Sequence, residues 1–330
     1  MSVRKAAFLV GVDDYRVKPL SGCVNDVAAM EKLLSRNEDG SPNFQCLSLT
    51  APRSPGGGPE VVTRSSLRRT LEEVLAKRVD MALFYFSGHG TITSRGGLLV
   101  SQDVTRDDEG VPMSEIVAAA NESKIEQVTI IVDACFSGQL GGVAAVKDDH
   151  AVLREGVAII AASSPDETSM ERAGRGVFTS LVCGALEGGA ADVMGEVTSA
   201  SIYAYAEQAL GPLDQRPMYK ANVARLSPLR TCRPIVEPAV LRKLSDYFAT
   251  ADYVYHLDPA YEPDRSQHPK GTVPDPAKEA IFGHLQQFRA ARLLEPVAEA
   301  HMYFAAMRSK SCRLTPLGRF YWKRAKDGRL

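Results

Sequence analysis

The sequence has no run of roughly 18 apolar residues, the length a membrane-spanning helix needs, so no such helix is expected. Its opening, Met1-Ser2-Val3-Arg4-Lys5, leads into a short apolar run with no signal-cleavage region behind it, and that run reads as a buried strand. The six cysteines include no C-x-x-C pair. A zinc site or disulfide framework is therefore not expected, and the chain reads as a cytoplasmic protein with reduced thiols. An excess of charge of one sign is also missing. With 39 Lys and Arg against 40 Asp and Glu, the net charge is -1, which gives the whole chain no pull toward nucleic acid or an anionic membrane.

What is present is an ordinary globular composition, 45% apolar and 24% charged over 330 residues. That length suits one catalytic domain and a small appendage, here divided as 1–232, a helix and linker over 233–276, and a basic tail over 277–330. Short apolar runs alternate with amphipathic stretches in the first half. Ala6–Val12, Asp80–Phe86, Val128–Val132 and Val157–Ala162 read as strands, with a weaker one at Phe44–Leu49. Helical spacing appears in Asn25–Ser35, Ser65–Arg78, Phe178–Leu186 and Ser199–Leu210. Strands apolar on both faces and separated by helices indicate an α/β fold, a mainly parallel sheet covered on two sides. Such a sheet places reactive groups beyond the carboxyl ends of its strands.

Two of these ends carry the most reactive side chains. Ala82-Leu83-Phe84-Tyr85-Phe86 runs into Ser87-Gly88-His89-Gly90, and Thr129-Ile130-Ile131-Val132 runs into Asp133-Ala134-Cys135-Phe136-Ser137-Gly138. A thiol near its ordinary pKa of about 8.5 is mostly protonated at neutral pH, and a nearby imidazole lowers that value. If the two strands are neighbours, Cys135 is the nucleophile and His89 its base and later its acid. The backbone N–H groups of Gly90 and Cys135 are the candidate donors to the oxyanion.

Ser-Gly-His-Gly after one strand and Asp-x-Cys-x-Ser-Gly after a later one resemble the caspase superfamily, and the His-to-Cys separation fits it. Gly22-Cys23-Val24-Asn25-Asp26, after the first strand, is similar to the Gly-Cys-x-Asn-Asp element of metacaspases and their bacterial relatives. The resemblance covers about residues 3 to 230. It implies a caspase-like three-layer sandwich and a cysteine endopeptidase acting through a Cys-His dyad in stress, cell-death or antiviral pathways; the alternatives are a catalytically inactive scaffold of the same fold and a nucleic-acid-binding regulator acting through the C-terminal tail.

Substrate choice follows from charge. True caspases carry Gln two residues before the cysteine and bind a substrate Asp through arginines, whereas this chain carries Asp133. The resemblance places Asp133, Asp26 and Ser87 in the primary pocket, with Cys23 as core or pocket wall. Two carboxylates favour Arg, whose fork pairs bidentately, and accept Lys. The expected partners are thus proteins with Arg or Lys at the cut position. Ser163 and Ser164, in the segment leading to Gly176-Val177-Phe178-Thr179, are the candidates for a wall of the substrate groove.

The stretch from Gln139 to Gly156 corresponds to a linker commonly cut when such enzymes are activated. Lys147 and Arg154 are its candidate processing sites, which implies a zymogen cut by itself or by an upstream protease. Calcium, which many metacaspases use, is not favoured, because Met113-Ser114 stands where an acidic pair is expected. Asp103, Asp107, Asp108 and Glu109 do not make an oxygen shell legible. No cofactor or metal is expected.

The region from about 251 to 276 has no clear period and reads as a linker. From 277 to 330 there are eleven Lys and Arg against four Asp and Glu. Ala277–Leu293 reads as a helix. Leu314-Thr315-Pro316-Leu317-Gly318-Arg319 is similar to a junction in winged-helix domains, with Thr315 as N-cap and Pro316 at the first helical position. Docking of a partner protein is expected of this tail ahead of nucleic-acid binding.

Overall fold

The computed structural model describes residues 3–330 except 55–57, 94–95, 106–107, 138–151, 163–170, 173 and 211–216; for 108–109, 135–137 and 171–172 it describes the main chain alone. The chain divides into two compact units, Met1–Ala191 with Glu196–Cys232, and Asp192–Gly195 with Arg233–Leu330.

The first unit is built on an eight-stranded sheet. Its strands are β1 (Lys5–Val12), β2 (Phe44–Ala51), β3 (Met81–Thr93), β4 (Gly96–Thr105), β5 (Asp108–Pro112), β6 (Gln127–Ser137), β7 (Val157–Ala161) and β8 (Met218–Asn222). The central order is β8-β7-β6-β3-β1-β2, with β4 joined to β3 and β5 joined to β4. The ladders from β7 to β2 are parallel, and β8 closes one edge antiparallel. Alternation sorts side chains to two cores. Phe8, Val10, Phe84, Phe86, Ile130 and Val132 pack on one face under α2 (Arg64–Leu75) and α3 (Met113–Glu122). Leu9, Leu83, Tyr85, Ile131 and Ile160 pack on the other face under α1 (Cys23–Leu34), α4 (Val177–Gly184) and α5 (Ser199–Leu210). This is the covered parallel sheet that the two-faced apolar runs indicate.

Two details differ from the sequence reading and bear on function. The strands do not stop before the reactive motifs. β3 continues through Ser87-Gly88-His89-Gly90 because its last four residues pair antiparallel with β4, and β6 follows it as far as Ser137. Helix α1 starts at Cys23 instead of Asn25. The Asp13 carboxylate, at the end of β1, accepts the Cys23 N–H at 2.9 Å and the Val24 N–H at 3.3 Å, satisfying two otherwise unpaired donors of the first turn.

The second unit has its own core of Phe248, Phe282, Leu285, Phe288, Leu293, Leu314 and Trp322. Its three antiparallel strands, in the order β9 (Val254–His256), β11 (Ser311–Leu314), β10 (Leu294–Val297), join α6 (Pro276–Ala290), α7 (Met302–Met307) and α8 (Pro316–Lys326). The Thr315 side chain accepts the Gly318 N–H at 3.1 Å and Pro316 opens α8. The reading of 251–276 as a linker is corrected. Val254–His256 pairs with Ser311–Arg313, and Leu257 and Tyr261 are buried in the core. No helix among the described residues is long and apolar enough to cross a membrane.

Candidate active site

Strands β3 and β6 are neighbours, and their parallel register sets His89 opposite Cys135, with Ser87 opposite Asp133 and Gly90 opposite Phe136. Adjacent strands lie about 4.8 Å apart. The two residues separated by 46 positions in sequence are therefore side by side at the carboxyl end of the sheet.

His89 is held by groups that no motif announces. Its Nε2 lies 2.6 Å from the Lys18 carbonyl oxygen. A carbonyl can only accept, so Nε2 carries the proton and Nδ1 is the nitrogen left to exchange one. Lys18 holds a left-handed backbone, φ 54°, a costly conformation for a residue with a Cβ and one found where the surroundings over-determine it. Below the imidazole, the buried Tyr15 ring sits 4.6 Å from it, centroid to centroid. The Tyr15 hydroxyl accepts the His89 N–H at 3.0 Å and donates to the Val100 carbonyl at 3.1 Å. Glycine is required at 88 for this contact, since a Cβ there would lie 2.5 Å from the Tyr15 hydroxyl.

Beside this pair, four elements meet around two acids. Asp26 comes from the first turn of α1, Ser87 and Asp133 from adjacent strands, and Gly176 and Thr179 from the start of α4. Asp26 is 1% exposed and Asp133 7%. The Ser87 hydroxyl donates to Asp26 at 2.9 Å, and the Gly176 N–H points at the same carboxylate at 3.2 and 3.3 Å. Thr179 donates to Asp133 twice, from its hydroxyl at 2.6 Å and its N–H at 3.1 Å. The Tyr85 hydroxyl backs Thr179 at 2.6 Å. Neither carboxylate forms an ion pair among the described residues. Burial, with added repulsion from Asp133, pushes Asp26 up to about 7, and burial likewise raises Asp133 against its two hydrogen bonds from Thr179. The charge of Arg175 lowers Asp26 only slightly against these effects, and two buried acids with no ion-pair partner make a site that a guanidinium or ammonium would stabilise.

That site is closed. Gly22, Cys23, Asp26, Ser87, Gly88, Asp133 and Gly176 enclose a cavity of about 10 Å³, room for about one water. Gly176 forms the stopper. A Cβ there would lie 2.4 Å from Asp133 Oδ2 and 3.1 Å from Asp26 Oδ2, so only glycine fits between the carboxylates. Arg175, the residue before it, is exposed, and Asn25 holds the Gly174 carbonyl at 3.1 Å. Cys23 is a pocket wall whose thiol burial pushes up, which keeps it protonated.

The remaining sequence candidates fall as follows. Ser163, Ser164 and Lys147 lie outside the described residues. The Arg154 guanidinium is tied to four main-chain carbonyls, those of Ala120 at 3.0 Å, Ile125 at 2.6 Å, Glu155 at 2.6 Å and Glu126 at 3.4 Å. As a processing site Arg154 is poorly offered, because a protease pocket would have to strip all four bonds. Asp103 pairs with Arg64 at 3.1 Å and accepts the Ser101 hydroxyl at 2.7 Å, and Met113 is fully buried in the core. Asp107 and the side chains of Asp108 and Glu109 lie outside the described residues. No group of acids, histidines or cysteines able to hold a metal occurs among the described residues.

The family model described as the caspase domain matches residues 4–226. Among solved structures, the chain is similar to protein GSU0716 from Geobacter sulfurreducens, with TM-score 0.51 and 14% identity over 70% of this chain and 100% of that one. It is also similar to caspase-1 from Spodoptera frugiperda, with TM-score 0.50 and 14% identity over 70% of this chain and 91% of that one. No curated protein sequence matches.

Proposed function

The chain belongs to the caspase-domain family, and from that premise we propose that it is a cysteine endopeptidase that cuts after Arg or Lys. The observation that carries the proposal is the pairing of His89 opposite Cys135 in register, next to two buried carboxylates that form no ion pair among the described residues. In the proposed reaction the Cys135 thiolate adds to the substrate carbonyl. The oxyanion is met by main-chain N–H groups, with those of Gly90 and Cys135 as the candidates. His89 gives its proton to the leaving amine, then takes one from the water that hydrolyses the thioester and returns it to the thiol. The Lys18 carbonyl and Tyr15 keep the imidazole in the orientation these transfers need.

The pocket reading accounts for Asp26 and Asp133 together. A substrate guanidinium entering between them replaces the Gly176 N–H as partner to Asp26 and brings a positive charge into direct contact with the pair. Entry requires Gly176 to withdraw, which suits a zymogen opened by cleavage in the 139–156 stretch. Lys147 is the processing site of choice, given how Arg154 is bound. We read the basic 277–330 tail as a docking surface for an acidic partner protein; a salt-sensitive shift of duplex DNA would reverse that assignment.

The test uses the full chain before and after limited nicking by trypsin, with the trypsin then blocked. Coumarin-releasing peptides ending in Arg, Lys or Asp are compared. The expected order is Arg, then Lys, with Asp inert, and no release by the Cys135→Ala chain. Faster release from the Asp peptide, or equal release by Cys135→Ala, sinks the proposal.

A further inference from the structure

A second cavity, of about 430 Å³, opens at the same end of the sheet and is lined by Asp14, Tyr15, Arg16, Arg53, Glu60 and Gln102 among others. We propose that it is the subsite for the amine side of the substrate, and that it selects an acidic side chain there. The inference rests on the endopeptidase reading above and extends it to the other side of the cut.

Placement comes from the reaction and the strand order. His89 must hand its proton to the leaving amine, so the departing half of the substrate lies on the His89 side of Cys135. Across the sheet, β6, which carries Cys135, is followed by β3, which carries His89, and then by β1 and β2. The chain leaving β1 supplies Asp14, Tyr15 and Arg16, and the chain leaving β2 supplies Arg53 and Glu60. The cavity therefore lies past His89, away from Cys135. Tyr15 is the shared wall, with its ring against His89 and its residue in the cavity lining. At about 3.3 Å per extended residue, the second or third residue after the cut reaches it.

The walls are built, not incidental. Gln102, 4% exposed, engages both ends of its amide in them. Its Oε1 accepts the Val61 and Val62 N–H groups at 2.9 Å each, and its Nε2 donates to the Asp14 carbonyl at 3.1 Å. Three of the four charges in the lining are engaged: Arg16 pairs with Glu60, and Asp14 accepts the Gly58 N–H at 3.1 Å. The exposed Arg53 guanidinium has no partner among the described residues and is the one cation of the lining outside an ion pair, while the Asp14 carboxylate is met only by a main-chain N–H. A carboxylate of the substrate fits the Arg53 guanidinium bidentately.

The experiment uses nicked full-length protein and internally quenched peptides that share an acyl side ending in Arg. They differ only in carrying Asp, Asn or Lys at the second or the third position past the cut. At one of these two positions, kcat/KM is expected to be at least fivefold higher for Asp than for Asn, and lower still for Lys. In the Arg53→Glu chain the Asp-to-Lys ratio is expected to invert; the ratio within one enzyme cancels any change in the amount of active protein. Equal rates for Asp, Asn and Lys at both positions overturn the proposal. So does a preference for Lys, which would assign the cavity to Asp14, or a ratio that Arg53→Glu leaves in place. Brisk cleavage of the Arg-coumarin peptide alongside any of these results means that the subsite alone has failed. No cleavage of that peptide means that the endopeptidase reading has failed and the subsite with it.

Discussion

Replacing Asp26 by Asn should make the protein more stable at neutral pH and useless against Arg substrates. Asp26 is 1% exposed, hydrogen-bonded by Ser87 and Gly176, and raised by burial and by Asp133 from 3.8 to about 7. Between those two values the unfolded chain has lost the proton that the folded chain still holds. Stability carried by this group therefore falls as pH rises from about 4 to about 7 and stays low above it. The size of the displacement corresponds to about 4 kcal/mol. Asn does not titrate and can keep both contacts, accepting from Gly176 and donating to Ser87. At pH 4 the variant should match the wild type, and at pH 8 it should be more stable by a few kcal/mol. Calorimetric melting across pH 4 to 8, in a Cys135→Ala background that prevents self-cleavage, measures the difference. The only tryptophan, Trp322, belongs to the second unit, so calorimetry is the readout for this site. If the variant is no more stable at pH 8 than at pH 4 relative to the wild type, the buried-carboxylate reasoning is wrong.

The same titration predicts that KM for Arg peptides rises as pH falls through about 7, by up to about tenfold per pH unit, because protonated Asp26 no longer attracts the guanidinium; a KM flat from pH 8 to 5.5 would contradict this. Tyr15→Phe removes the acceptor of the His89 N–H and the donor to Val100 while keeping the ring; kcat should drop on the order of tenfold with KM little changed, measured by steady-state kinetics. Arg154→Ala should lower the melting stability of the first unit by about 1–3 kcal/mol and leave nicking intact, whereas Lys147→Ala should block nicking, as read by gel mobility.

The sheet was legible because its strands are apolar on both faces. Ala82–Phe86 and Thr129–Val132 have no polar interruption, and each is followed by a motif whose residue types make sense only beside the other. Asp133 was legible as a charge two residues before Cys135, and Asp26 as part of the Gly-Cys-x-Asn-Asp element. Residues that act through the main chain were not. Any residue has a carbonyl, so nothing in Lys18 foretells that its oxygen orients His89, and Gly176 as a stopper follows from a chain path no period encodes. Arg154 shows the reverse case. Sequence displays its charge but not the four carbonyls that consume it. The stretch 251–276 was missed because its strand is three residues long and its partner, Ser311–Arg313, lies more than fifty residues on, beyond the reach of a local pattern.

The central claim is that one of six cysteines is an activated nucleophile beside a cation-selecting pocket. Incubation of the nicked full-length protein with a peptidyl-arginine chloromethyl ketone, followed by peptide mass mapping, tests it directly. The account predicts a single adduct on Cys135, absent when the probe carries Asp in place of Arg and strongly reduced in the Asp26→Asn protein. An adduct spread over other cysteines, or one on Cys135 that forms as fast with the Asp probe, would contradict it.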